Sequence, residues 1–287
     1  MNRKTLALSL ALLSVPPPWR ATAAEPPPPP SADALVEAYN GRNFGSPGWR
    51  RIFLELKNGA AVTRTFSILH LWQRERDEVR SLVLLEQPLN LRGTNYLLLE
   101  SLRAGTTGMQ LFLFLPAGKR RVLTIRPSRF DEGLLGSDFS YSDLRWVIPS
   151  HEYRLSLRGT ARLLGRTAWV VEAQPVSAEG SSWSRIRYFI CRDPWLLLGA
   201  DYYRGAARQP AKSLRIERVQ QIEGVWTPVR MVMRLARGRS SVLTLTEAAF
   251  GTGSFRPDLF VAENLPSYGD RLRAGDPVVP LAPGVRP

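Results

Sequence analysis

A long succession of short strand patterns, separated by glycine-containing turns, restricts the fold of this chain more than any other feature. The segment from Val229 to Leu235 shows the pattern most clearly, because apolar side chains at every second position alternate with Arg230 and Arg234. A period of two residues is typical of a strand with one buried face. The strand patterns cover residues 51–56, 66–72, 81–85, 96–99, 111–115, 121–125, 153–157, 168–173, 186–191, 196–203, 214–222, 229–235 and 241–246.

Glycine dipeptides of the kind found in short hairpin connections separate several of these segments. A large antiparallel sheet usually curls or closes instead of staying flat. The sequence therefore predicts a curved, mostly antiparallel sheet. The dipeptides are Asn58-Gly59, Ala117-Gly118, Leu164-Gly165, Glu223-Gly224 and Arg237-Gly238.

One helix precedes the strand patterns. Ser31 can cap a helix from about Ala32 to Arg42, whose apolar residues share one face. That face would cover the open side of a curled sheet. We therefore predict a mainly β fold with few helices (α+β), in which an incomplete, strongly curved antiparallel β-barrel is closed by the N-terminal helix and loops and encloses an apolar cavity. The apolar helix residues are Leu35, Val36 and Tyr39.

The two ends of the chain differ from the rest. Residues 1–24 resemble a cleavable signal peptide, with a basic start and an apolar run shorter than the roughly 20 residues that span a bilayer. Residues 25–31 are predicted to form a proline-rich spacer. Residues 273–287 are predicted to form a flexible tail rich in proline and glycine. We therefore expect a single domain at residues 32–272 that is exported.

The chain is strongly basic. Its formal net charge is +14, which falls to +11 when Arg3, Lys4 and Arg20 leave with the predicted signal. Such a charge is typical of proteins that bind nucleic acid, an anionic membrane surface or acidic ligands. Export argues against nucleic acid, and the arginines are dispersed among the strand patterns. A solvated strand face and a role at anionic lipid both stay open.

No residue pattern for catalysis or metal binding is found. His70 and His151 are far apart and have no cysteine or histidine at ligand spacing. The sequence Gly136-Ser137-Asp138 is not a nucleophile elbow. Asp138 and Asp143 are interpreted as turn-forming residues rather than as a catalytic pair. We predict no catalytic residue, metal or cofactor, and we expect that the protein is not an enzyme.

The segment from Leu111 to Leu144 joins an apolar hairpin to a polar loop. The hairpin would turn at Pro116-Ala117-Gly118 and continue as a strand from Lys119 to Ile125. We expect the loop that follows to form a structural signature at the edge of the cavity, with its aromatic residues as anchors. The signature residues are Gly136, Asp138, Phe139, Tyr141 and Asp143.

Two strand patterns are apolar at consecutive positions, LVLL at residues 82–85 and LFLFL at residues 111–115. Such strands bury both faces in protein, or they expose one face to a ligand. An acyl chain needs apolar area and no directional partner. Alternation alone does not say which face points inward.

Three stretches of the chain resemble a known family. They are RGTNYLL at residues 92–98, LPAGKRRV at 115–122 with LGSDFSYSDL at 135–144, and IEGVWTPVRM at 222–231. They are similar to periplasmic outer-membrane lipoprotein-sorting proteins, which are related to the LolA and LolB lipoprotein carriers. The resemblance implies an incomplete β-barrel with an apolar cavity for acyl chains, and it implies no catalytic residue and no metal.

The resulting functional prediction is a periplasmic carrier that binds acyl chains of a lipid or lipoprotein and transfers them between membranes. We expect a monomer that works beside an inner-membrane exporter. Arg120, Arg121 and Arg126 would meet an anionic headgroup at the rim, or would form a solvated face. The predicted lining residues are Leu97, Leu99, Leu111, Leu113, Trp146, Met231 and Met233.

Two alternatives stay open. The chain could be a non-enzymatic periplasmic sensor or accessory binding module that acts with a membrane exporter, since its proline-rich ends and basic surface suit a protein partner. It could also be a hydrolase that uses Ser137 or Asp138, although no motif supports this.

Overall fold

The computed structural model describes residues 30–102, 108–117, 120–177, 181–236, 238–253 and 255–274. The predicted signal peptide, most of the proline-rich spacer, the tail from residue 275 and the turn residues Gly118, Lys119 and Arg237 lie outside these ranges. The compact unit of the chain begins at Ser31.

Thirteen antiparallel strands form one sheet, in the order β6-β5-β4-β3-β2-β1-β13-β12-β11-β10-β9-β8-β7. Strands β6 and β7 are the two edges, so the sheet is not closed into a barrel. The strands are β1 (Gly48–Asn58), β2 (Ala61–Glu75), β3 (Glu78–Gln87), β4 (Asn95–Ser101), β5 (Met109–Phe114), β6 (Val122–Ile125), β7 (Tyr153–Leu163), β8 (Arg166–Pro175), β9 (Arg185–Arg192), β10 (Trp195–Tyr203), β11 (Lys212–Ile222), β12 (Val225–Leu235) and β13 (Arg239–Phe250).

The first helix covers one face of this sheet, which we call the inner face. Helix α1 (Ala32–Asn40) begins at Ser31, whose hydroxyl accepts a hydrogen bond from the Ala34 N–H, and it ends at Gly41. Its apolar residues join the main core together with inner-face side chains as distant in the sheet as Leu111 on β5 and Val171 on β8. Distant strands share one core only if the sheet curves around it.

A second helix, α2 (Leu265–Ala274), packs on the opposite, outer face. This helix was not predicted from the sequence, and its last residues overlap the predicted tail from residue 273. The helix explains why β5 is apolar at consecutive positions from Leu111 to Phe114. Leu111 and Leu113 lie in the main core, whereas Phe112 and Phe114 pack in the second core beneath α2. Both faces of this strand are therefore covered by protein.

The predicted fold class is confirmed: the described chain is an open, curved antiparallel β-sheet with few helices. The segment between β6 and β7 is built from short 3₁₀ turns, and it covers the inner face together with α1. Within the described residues, no helix is both long and apolar enough to cross a membrane.

Candidate functional site

The inner face of the sheet contains a pocket of about 210 Å³, which we call pocket A. Side chains from both halves of the sheet surround it, and Tyr39 of α1 and Phe139 of the covering segment contribute to its wall. Most of the wall residues are apolar, either aliphatic or aromatic, which suits an apolar ligand. The aliphatic residues are Ile52, Leu54, Ile68, Val83, Leu98, Leu134, Leu144, Leu196, Leu197, Leu214, Ile216, Val225, Met231 and Leu243.

One end of pocket A is aromatic. The rings of Phe44 and Trp146 stack with centroids 4.9 Å apart, and Trp146 lies 5.1 Å from the ring of Trp72. Trp72 in turn lies 5.4 Å from His70 and 5.5 Å from Phe250. We call these five residues the aromatic cluster. Its spacings are in the range in which aromatic rings attract one another.

A glycine on the neighbouring strand leaves space for this cluster. Gly48 of β1 pairs with Trp72 of β2, and a Cβ atom at Gly48 would lie 2.7 Å from Cζ2 of the indole. Any larger residue there would displace the tryptophan, because real Cβ atoms do not approach ring carbons so closely.

Trp146 reaches the cluster from the covering segment, and polar contacts hold it there. Its backbone N–H donates to Oε2 of buried Glu100 at 2.8 Å, and its carbonyl accepts from the Arg42 guanidinium at 3.0 Å. Its indole Nε1 donates to the Ser81 hydroxyl at 2.8 Å. Two residues further on, the side chain of Asn40 bonds both backbone groups of Ile148. The segment is therefore tied to the sheet and to α1 around Trp146.

Arg50 brings a positive charge into the aromatic end. Its Cζ lies 5.3 Å from the Trp72 ring centroid and 5.1 Å from that of Trp146, within reach of cation–π attraction. Its Nε donates to Nδ1 of His70 at 3.1 Å. Burial lowers the pKa of the guanidinium to about 10, so the group stays protonated at neutral pH.

His70 is 6% exposed and neutral. Burial, reinforced by the charge of Arg50, holds its pKa well below the ordinary value. Because Nδ1 accepts a hydrogen bond, the ring proton lies on Nε2. Neither Nε2 of His70 nor Nε1 of Trp72 has a hydrogen-bond partner among the described residues.

The loop signature forms a buried polar network beside the pocket. Oδ2 of Asp143 accepts from the Lys212 ammonium and from the backbone N–H of Ser140, and Oδ1 accepts from the Tyr202 hydroxyl at 2.7 Å. Burial acts to raise the pKa of Asp143, but Lys212 and Ser140 outweigh it and hold the pKa below its ordinary value. The network joins the segment to β10 and β11.

The other signature residues lie in the same covering segment. Ser241 of β13 donates to Oδ2 of Asp138 at 2.8 Å and accepts from the Asp138 backbone N–H at 2.9 Å. Gly136 has a positive φ of 77°, which glycine adopts without strain. Phe139 and Tyr141 are buried in the main core.

A second pocket of about 510 Å³, pocket B, adjoins pocket A. The side chains of Tyr39, Arg145 and Trp146 contribute to the walls of both pockets, and so do Leu197 and Leu214. The wall of pocket B includes an ion pair between Arg145 and Glu152 at 2.9 Å. The segment that carries Arg145 and Trp146 therefore lies between two pockets.

The structure separates the seven predicted lining residues. Met231 lies in the wall of pocket A and Trp146 in the walls of both pockets, whereas Leu111, Leu113 and Met233 pack in the main core. Leu97 and Leu99 lie on the outer face in the second core. They therefore cannot line the same inner-face cavity, because the residues of β4 that point inward are those of opposite parity, such as Leu98.

The three predicted rim arginines do not form one patch with the pockets. Arg120 forms an ion pair at 2.7 Å with Asp270 of α2, on the outer-face side. Arg121 is exposed at the start of β6, and Arg126 is exposed next to Pro127, which borders pocket B. Of the three, Arg126 is the one placed beside a pocket.

Sequence reasoning did not select Arg50 or Lys212. A signal for Arg50 was present, because it is in phase with Ile52 and Leu54 on β1 and so falls on the same face. Nothing local identified Lys212, whose partner Asp143 is distant in sequence. Among the described residues, no group of three or more His, Cys, Asp or Glu side chains could hold a metal ion.

Residues 77–267, more than half of the chain, match the model of a protein family described as "Uncharacterized protein". A comparison with curated proteins finds no match.

Solved structures with the same fold were found as well. A DUF1329 family protein from Desulfovibrio piger is 23% identical, with a TM-score of 0.72 over 82% of this chain and 98% of that one. An outer membrane lipoprotein-sorting protein domain from Vibrio parahaemolyticus, described as putative, is 21% identical, with a TM-score of 0.72 over 81% and 97%.

A LolA superfamily protein from Nitrosomonas europaea is 16% identical, with a TM-score of 0.61 over 81% of this chain and 98% of that one. At these identities the likeness shows a shared fold. The chain therefore belongs to the family of uncharacterized proteins whose model it matches, and it has the fold of the LolA superfamily and of outer membrane lipoprotein-sorting domains.

Proposed function

We propose that this protein is a non-enzymatic periplasmic carrier that binds acyl chains of a lipid or lipoprotein on the inner face of its sheet. The observation that carries the proposal is pocket A, a mostly apolar pocket on the inner face of an open sheet, which shares wall residues with pocket B. Acyl chains are bound by apolar area without directional partners, and this wall provides such area.

The solved structures support the proposal at the level of fold. Two of them are described as an outer membrane lipoprotein-sorting domain and as a LolA superfamily protein. A pocket of roughly 150 Å³ is enough for one benzene molecule. Pocket A, at about 210 Å³, therefore holds only part of a long acyl chain, and we place the remainder in pocket B.

Native mass spectrometry of the protein purified without detergent tests this function. We expect co-purified lipid on a monomer, and we expect the delipidated protein to take up a fatty acid, a phospholipid or an acylated peptide. A lipid-free protein that takes up none of these would overturn the proposal. A lipid-free protein that holds one protein partner in fixed ratio would instead favour the accessory binding module.

Two neighbouring positions of β13 provide a matched pair of variants. Leu243 lies in the wall of pocket A, whereas Thr244 points to the outer face and contacts Arg230. We expect Leu243→Trp to fill the pocket and reduce uptake about ten-fold or more, and Thr244→Trp to leave uptake unchanged. Equal uptake by both variants would place the ligand elsewhere.

A further inference from the structure

The aromatic end of pocket A contains hydrogen-bond donors that the protein itself does not use. Nε2–H of His70 and Nε1–H of Trp72 have no partner among the described residues. The hydrogen bond from Arg50 to His70 uses Nε only. By contrast, the indole N–H of Trp146 is satisfied by Ser81. These two buried, unpartnered groups are both donors.

Arg50 also lacks a counter-charge. In the part of the chain that the structure describes, no carboxylate forms an ion pair with it, although arginines on the outer face are paired, such as Arg215 with Asp201 at 2.7 Å. A buried charge is costly unless it is paired and hydrogen-bonded. An anion at this position would therefore be stabilised more strongly than one bound by an exposed arginine.

The donors belong to one compact group. Arg50 Cζ lies 5.3 Å from the Trp72 ring centroid, and that ring lies 5.4 Å from His70. All three residues contribute to the wall of pocket A, whose other end is aliphatic. The pocket thus combines an apolar part with an end at which Arg50, His70 and Trp72 offer donors, while the one acceptor of the neutral His70 ring, Nδ1, is already occupied.

We propose that Arg50, His70 and Trp72 form an oxyanion site, which binds the carboxylate or phosphate of an amphiphilic ligand whose alkyl chain lies along the aliphatic wall. This inference rests on the proposed function, because it assumes that the pocket binds the alkyl chain of the ligand. It adds that the headgroup enters the pocket and is recognised there, instead of staying at the exposed rim arginines.

A series of ligands with one chain length tests the site. Delipidated full-length mature protein is titrated at neutral pH with decanoate, decyl phosphate, decanol and decyltrimethylammonium, by calorimetry or by tryptophan fluorescence. We expect one or both anions to bind about ten-fold or more tighter than decanol, and the cation to bind more weakly than decanol. The tighter of the two anions identifies carboxylate or phosphate as the preferred group.

Variants then separate the headgroup from the chain. Arg50→Met keeps an apolar side chain between the two tryptophans, and we expect it to reduce the anion advantage to below about two-fold while decanol binding persists. Arg51→Met is the control, because Arg51 is the next residue of β1 and points to the outer face, where it pairs with Glu86 and Glu247. This control should keep the full anion advantage.

The outcomes distinguish the two proposals. If none of the four ligands binds, the carrier function fails, and the oxyanion site fails with it. If decanol binds as tightly as the anions, or if Arg50→Met keeps the anion advantage, only the oxyanion site is overturned. A folded Arg50→Lys variant that recovers part of the advantage would show that charge is what the site recognises.

Discussion

Glu100 links an ionisable side chain directly to the backbone of Trp146. Its side chain is 1% exposed, and its carboxylate accepts the backbone N–H of Trp146. Burial raises its pKa to about 7, and the Trp146 N–H and the charge of Arg145 offset only part of that effect. The position of Trp146, between the two pockets, therefore depends on a carboxyl group that titrates near neutral pH.

The raised pKa of Glu100 predicts a pH-dependent stability. An acid whose pKa is higher in the folded state binds more protons there than in the unfolded state, so it lowers the free energy of unfolding as pH rises from about 4.5 to about 7. At ~1.4 kcal/mol per pH unit the cost reaches roughly 3 kcal/mol. We expect Glu100→Gln to gain up to this amount relative to the wild type between about pH 5 and about pH 8.

Urea unfolding at the two pH values measures this difference. Other carboxylates, such as Asp143 with its lowered pKa, contribute with the opposite sign, so only the comparison of variant with wild type is informative. Exposed Glu37 of α1 is the control, and Glu37→Gln should follow the wild type at both pH values. A constant difference between Glu100→Gln and the wild type would contradict the raised pKa.

At the scale of elements, helix α2 depends on a close approach of two glycines. A Cβ atom at Gly269 would lie 2.7 Å from the Phe114 ring and 2.8 Å from the Gly93 carbonyl oxygen. The helix can therefore pack on β4 and β5 only because this position has no side chain. This contact covers the outer face of β5, and the inner face of β5 packs in the main core.

We expect Gly269→Ala to reduce the free energy of unfolding by about 1–3 kcal/mol, because overpacking outweighs the better helix propensity of alanine. Gly41→Ala is the matched control, since a Cβ there meets only the Glu37 and Ala38 carbonyl oxygens, at 3.5 Å and 3.7 Å. Its φ of −78° suits alanine, so this variant should be neutral or up to about 1 kcal/mol more stable. Thermal and urea unfolding compare the two, and equal effects would refute the close packing.

At the scale of the whole molecule, the sheet gives no obvious division between its two halves. Strands β1 and β13 pair over their full length in the middle of the strand order, and the main core includes side chains from both halves. A single continuous core normally unfolds as a unit. The prediction of one domain at residues 32–272 therefore has a direct physical test.

We expect one cooperative unfolding transition, with coincident midpoints for far-ultraviolet circular dichroism and for tryptophan fluorescence. The eight tryptophans of the chain include residues of both halves, such as Trp72 on β2 and Trp195 on β10. Removing residues 275–287, which are most of the predicted tail at residues 273–287, should leave the midpoint unchanged. Two separated transitions would show that the halves unfold independently.

The local features were predictable because they depend on neighbours in sequence. Period-two alternation identified β12 and β13, and the Ser31 cap located α1 within two residues. Helix α2 was not predicted because Gly269 in its interior weakens its helix propensity, and packing on the second core outweighs propensity. The segment LFLFL was recognisable as a strand. Which of its side chains point to the inner face was not predictable, since both faces of the strand are apolar.

By itself, then, the sequence determined the class of fold: many antiparallel strands, a capped N-terminal helix, and a sheet that must curl. Only the tertiary structure decided which residues meet on the inner face. It brought Arg50 beside His70 and Trp146, joined Asp143 to Lys212, and moved Leu97 and Leu99 to the outer core. Local periodicity is set by backbone geometry, whereas these contacts depend on how distant strands pair and how far the sheet curves.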